Sequence, residues 1–92
     1  MSAAAPAPYV IRHNAAAQRF ETTVDGLLCV ATYARDGQRV DFNHTLVPPA
    51  LAGRGIAAAL VREALTWARS EGLEVAASCS YVATYRRRHP EA

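Results

Sequence analysis

Val47-Pro48-Pro49-Ala50-Leu51-Ala52-Gly53-Arg54-Gly55-Ile56-Ala57-Ala58-Ala59-Leu60 takes the chain out of an apolar strand, breaks it at two prolines and restarts it as a glycine-opened helix. Neither proline can donate a ladder hydrogen bond, so the strand ends there. A helix start leaves backbone N–H groups unpaired and carries the positive end of the helix dipole, which suits a bound phosphate or diphosphate. Gly53 and Gly55 remove the side chains that would hold such an anion away. No Lys-Ser/Thr follows the glycines and no third glycine completes a G-x-G-x-x-G run, which argues against a P-loop or a Rossmann site.

Downstream, Ile56, Leu60, Ala64 and Trp67 recur at helical spacing and predict a main helix from Gly53 to Ser70. Gly72 suits a cap past its end, Leu73 to Cys79 follows as a fifth strand, and Ser80 starts a last helix running to about Arg88 before Pro90. Upstream, Tyr9–His13, Arg19–Val24, Leu27–Ala34 and Arg39–Val47 read as four strands, with hairpin signals at Asp25-Gly26 and Asp36-Gly37. Alternation in the fourth strand puts Val40, Phe42, His44 and Leu46 on one face and Asp41, Asn43 and Thr45 on the other, so the first set is expected against a helix. A right-handed crossover through the main helix sets the fifth strand parallel to the fourth. The expected fold is of the α/β (α+β) class. It is a mixed, mostly antiparallel five-stranded sheet with a long helix after strand 4 and a short C-terminal helix after strand 5.

The chain has 92 residues, enough for one domain and no second module. Met1 to Pro8 is Ala- and Pro-rich and uncharged, and is expected to be a flexible leader before a single domain from 9 to 92. No apolar run approaches the roughly 20 residues of a membrane helix, and a signal peptide is not evident, so a soluble cytoplasmic protein with no membrane role is expected. Cys29 and Cys79 are expected to stay reduced, and no metal site is suggested. A net charge of +2 and a basic run limited to Arg86, Arg87 and Arg88 give little support to nucleic-acid binding.

Ala52-Gly53-Arg54-Gly55-Ile56-Ala57 resembles the acetyl-CoA-binding motif of the GNAT superfamily of N-acetyltransferases, an Arg/Gln-x-x-Gly-x-Gly/Ala run after a strand and before a long helix. Ala52 stands where that motif usually has Arg or Gln. Phe42 to Pro48 and Ala76 to Pro90 extend the resemblance, from about Tyr9 to Glu91, to very small single-domain members of the superfamily. It implies a GNAT-like fold in which the fourth and fifth strands splay apart. The pantetheine arm of acetyl-CoA would lie against Leu46 and Val47, and the pyrophosphate on Gly53, Arg54, Gly55, Ile56, Ala57 and Ala58. Arg86 and Arg87 would meet the 3′-phosphate or adenine end.

Cys79 ends the fifth strand before a basic helix, where the dipole and nearby arginines favour thiolate. It is a candidate nucleophile for covalent acetyl transfer, or else a small residue lining the cofactor slot. His44 is the candidate base, with a structural histidine as the other reading. His13 and His89 are read as surface or local structure, and Cys29 as core. Tyr85, on one side of the last helix with Tyr81, is the candidate acid for the leaving CoA thiolate. The pair of helices that normally follow the first strand of a GNAT domain is missing, which leaves the acceptor side open. The function implied is an acetyl-CoA-dependent N-acetyltransferase acting on an unidentified small-molecule or protein amine, as a monomer or homodimer. A non-catalytic module that binds or senses CoA or acetyl-CoA is the alternative.

Overall fold

Local turn chemistry lays out most of the sheet. In the computed structural model, which describes residues 9–91, strand β2 (Arg19–Val24) turns into β3 (Leu27–Asp36) through Asp25-Gly26, with φ of 52° and 75° at the two turn residues. Two consecutive positive φ values give a type I′ turn, whose twist matches that of the strands it joins. A second two-residue loop, Gly37-Gln38, leads into β4 (Arg39–Leu46), so β3 runs two residues beyond the expected Ala34 and Asp36 pairs with Arg39. The expected leader, Met1–Pro8, lies outside the described residues.

Strand β1 is Arg12–Asn14 rather than Tyr9–His13. The Thr22 hydroxyl donates to the Val10 carbonyl at 2.9 Å, so a side chain holds the preceding segment where a ladder was expected, and Tyr9 and Ile11 pack half-buried against the core. The main helix α1 spans Ile56–Ser70 and starts three residues later than expected, after a 3-10 turn at Pro49–Leu51. Its end matches the expectation at Gly72. The Gly72 N–H bonds the Arg69 carbonyl and the Leu73 N–H bonds the Ala68 carbonyl, the paired bonds of a Schellman motif. Strand β5 (Glu74–Ala77) follows, then helix α2 (Ser80–Arg88).

The five strands lie in the order β1-β2-β3-β4-β5, antiparallel except for the parallel β4–β5 pair. This is the expected mixed, mostly antiparallel sheet with a long helix after strand 4 and a short one after strand 5. One face of it, with Phe20, Cys29, Ala31, Val40 and Phe42, packs against Leu60, Val61, Ala64, Leu65 and Ala68 of α1 and Val82 of α2. Each large side chain buried there contributes about 1.5–3 kcal/mol. Cys29 is fully buried, as expected, and burial pushes its thiol pKa up.

His13 is an exposed residue, as the surface reading had it, but its ring is packed on one side. It stacks on Phe20 with ring centroids 4.2 Å apart and planes 8° apart, meets Trp67 edge-on at 4.6 Å, and places Nε2 2.7 Å from the Tyr33 hydroxyl. Burial lowers its pKa from 6.5, with Glu71 pulling it back up. The folded state therefore prefers neutral imidazole, and this part of the stability is complete above the unfolded value and lost as pH falls through the lower folded one. Thermal melts of the wild type should lose stability below about pH 6.5 more steeply than melts of His13→Gln. Parallel curves would show that His13 does not contribute.

Candidate functional site

The start of α1 has the features of an anion cradle. Ala59 N–H to Gly55 carbonyl, at 3.0 Å, is the first bond of the helix, so the N–H groups of Ile56, Ala57 and Ala58 have no intrahelical partner. No side chain caps them, and no acidic residue lies in the first turn. Gly53 and Gly55 have φ of 81° and 78°, and a Cβ at either would meet nothing within 4 Å. The residues present thus fit a diphosphate: unpaired donors facing open space. Hydrogen bonds from N–H groups to a charged acceptor contribute about 1.5–3 kcal/mol each, against about 0.3–1 kcal/mol for the dipole, so the donors dominate. A cleft of about 330 Å³ opens here, lined by Val47, Gly53, Gly55, Ala57, Ala58 and Tyr81 among others. Arg54 is not among them, contrary to the sequence expectation. It turns away to Asp25, 3.1 Å from guanidinium to carboxylate.

Beside this cleft, β4 and β5 part. Their last paired residues are Phe42 and Ala77, after which the Cys79 N–H bonds the Phe42 carbonyl at 3.0 Å. The Asp41 carboxylate then accepts from both the Ser78 N–H and the Ser78 hydroxyl, each at 2.8 Å, and turns the chain out of the sheet. This clamp makes β5 shorter than the expected Leu73–Cys79. Beyond it, His44 to Leu46 pair only with β3, so Leu46 and Val47 border a gap with no strand on its other side.

A β-bulge corrects the expected faces of β4. Tyr33 pairs with Phe42 but Thr32 pairs with His44, which leaves Asn43 as the extra residue and reverses the alternation beyond it. Val40 and Phe42 face the core, whereas His44 and Leu46 are exposed and share the opposite face with Thr32. Thr45, expected on the outer face, turns inward and places its hydroxyl 3.7 Å from Cys79 Sγ. His44 is therefore neither a buried structural histidine nor on the same face as the thiol's neighbour, Thr45.

Cys79 is half-buried and is itself the N-cap of α2, the place expected for Ser80. Burial pushes its thiol up, but backbone N–H groups at Val82 and Tyr81 and the Thr45 hydroxyl and backbone outweigh it, and the net shift is below the ordinary value. No conventional side-chain capping bond is formed. The helix start acts on the sulfur as a field and a set of nearby donors, the environment in which thiolate is favoured.

Along α2, Tyr81, Tyr85 and Arg88 recur at i, i+4 and i+7. Tyr81 borders the cradle cleft, and all three line its continuation past Ala58. Tyr85 lies one turn further from the cradle, its ring tilted by 31° against that of His89 with centroids 4.3 Å apart. Arg86 and Arg87 are not brought to the cradle. They line a separate hollow with Ala77 and Ala83, where Arg86 donates to the Val75 carbonyl and Arg87 to the Thr84 hydroxyl. Arg88, Thr45 and the clamp Asp41 were missed from the sequence, whereas Tyr81 was placed beside Tyr85 but not chosen. The spacing of Tyr81, Tyr85 and Arg88 was the available signal for Arg88.

A family model described as GCN5-related N-acetyl-transferase matches residues 19–92. Protein NATD1 of Gallus gallus and of Mus musculus are each 34% identical to this chain over 86 residues, covering 90% of it and 78% of the relative. The human protein of that name is also 34% identical, with 90% and 76% covered. The solution NMR structure of a GCN5-like protein from Staphylococcus aureus superposes with a TM-score of 0.72 over 94% of this chain and 85% of its own, at 24% identity. A parted strand pair, a bulged fourth strand and an uncapped glycine helix start thus occur in a chain that belongs to the GCN5-related N-acetyltransferase family.

Proposed function

We propose that residues 9–92 form a single acetyl-CoA-dependent N-acyltransferase domain acting on an amine, and that the protein works in the cytoplasm. The observation that carries this reading is the cleft that joins the open β4–β5 gap to the uncapped start of α1. In it, the N–H groups of Ile56, Ala57 and Ala58 would hold the pyrophosphate, with Gly53 and Gly55 giving it room and Val47 along the pantetheine; Leu46 does not line the cleft and would meet the pantetheine only along the unpaired strand edge. Arg88, on the cleft side of α2, takes the outer phosphate in place of Arg86 and Arg87.

Cys79 acts as nucleophile. Its thiolate attacks the thioester carbonyl, a carbon–sulfur bond forms to Sγ, and the bond to CoA breaks, with CoA leaving as thiolate. Tyr81 or Tyr85 gives its phenolic proton to that thiolate and is reprotonated from solvent; burial, with Tyr85 beside it, raises the Tyr81 pKa. The acceptor amine then attacks the acetyl group, the bond to Sγ breaks, and the thiolate is regenerated. The nitrogen loses its proton to His44 if the amine comes from the exposed sheet face, and to water otherwise.

The exposed position of His44 and the uncovered sheet face also suit the other reading, a CoA-binding module without turnover. Incubating the protein with acetyl-CoA and a panel of primary amines, and following free CoA thiol, separates the two. Amine-dependent release supports the transferase. Binding without release in any amine supports the carrier or sensor.

A further inference from the structure

From Ala52 to Ala58, every residue borders the cradle cleft except Arg54. Its guanidinium instead reaches 29 residues back along the chain to Asp25, with Nη1 3.1 Å from Oδ2. Asp25 is the first residue of the type I′ turn at φ 52°, next to the last β2–β3 pair Val24–Leu27, so its carboxylate is presented from the end of the paired hairpin. The loop it meets has a positive φ at each of the two glycines flanking Arg54 and no side-chain cap at the helix start. Among the described residues, this is the one side-chain ion pair made by the cradle loop.

We propose that Asp25 is a positioning residue for the cradle: through Arg54 it fixes the Gly53-Arg54-Gly55 backbone so that the N–H groups of α1 face the pyrophosphate before it arrives. The inference rests on the cradle reading. It assigns Arg54 to the protein's own carboxylate and not to the ligand. Both partners are more than half exposed, so the effect is modest and salt-sensitive.

Asp25→Asn tests this with the turn preserved, because asparagine followed by glycine favours the same type I′ geometry. Backbone order parameters of the free protein should fall at Gly53 to Gly55 and nowhere else, with the melting temperature unchanged. CoA affinity at low salt should weaken about threefold, with the difference disappearing at high salt. Adding Arg54→Gln should weaken it no further, since both changes break one contact. Unchanged order parameters would overturn the proposal. Tighter CoA binding by Asp25→Asn would also overturn it, by showing that Arg54 serves the phosphates and Asp25 competes for it. If the wild type binds no CoA, the cradle reading fails, while the order parameters still decide whether Asp25 fixes the loop.

Discussion

Gly55→Glu is expected to abolish CoA binding in a protein that remains folded. Gly55 is the N-cap of α1 at φ 78°, a left-handed conformation that costs a side chain roughly 1–2 kcal/mol. The added carbon meets no protein atom within 4 Å, so there is no clash to add to that strain. A carboxylate beside a helix start also recovers about 0.3–1 kcal/mol, leaving a small loss against the 5–15 kcal/mol typical of a domain. Binding is affected quite differently. The new carboxylate fills the cleft and answers the donors that the pyrophosphate needs, and losing two charge-assisted hydrogen bonds weakens binding at least about a hundredfold. Gly55→Asn, tolerated at positive φ and uncharged, should retain part of the affinity. A folded Gly55→Glu variant that binds CoA as well as the wild type in calorimetry would remove the cradle from the account.

The second large effect concerns Cys79. Incubation with acetyl-CoA should place an acetyl group on the peptide that carries Cys79, and Cys79→Ala should remove both that adduct and acetyl transfer. Cys29 serves as the internal control: it is fully buried and its thiol is pushed up, so it should stay unmodified. Because the donors around Cys79 bring its pKa below 9.0, the rate of adduct formation should rise with pH and level off before an ordinary thiol would. Full transfer activity in Cys79→Ala would mean that the amine attacks the thioester directly, with Cys79 lining the slot.

What the sequence disclosed was the part written in local chemistry. Asp25-Gly26 and Gly72 each specify a turn or cap by their own backbone preferences, and the Gly53–Gly55 pair marks a helix start, so strand order, the main helix and its glycine-opened start were legible. The bulge at Asn43 was not. It arises from pairing across β3, and one extra residue is enough to send His44 outward and Thr45 inward. The Arg54–Asp25 pair likewise joins residues that only the folded hairpin brings together. For the arginines, the answer depended on which face of α2 packs. Val82 is buried, and that choice sends Arg86 and Arg87 toward the β5 side and Arg88 toward the cleft.

Acetyl-CoA is proposed to lie in one cleft, from the β4 edge to the start of α1. Mapping backbone amide shifts while acetyl-CoA is titrated into the ¹⁵N-labelled protein tests it most directly. Saturable changes are expected at Thr45 to Val47, Gly53 to Ala58 and Cys79 to Tyr81. Changes confined to the hollow at Arg86 and Arg87, or none at all, would contradict it.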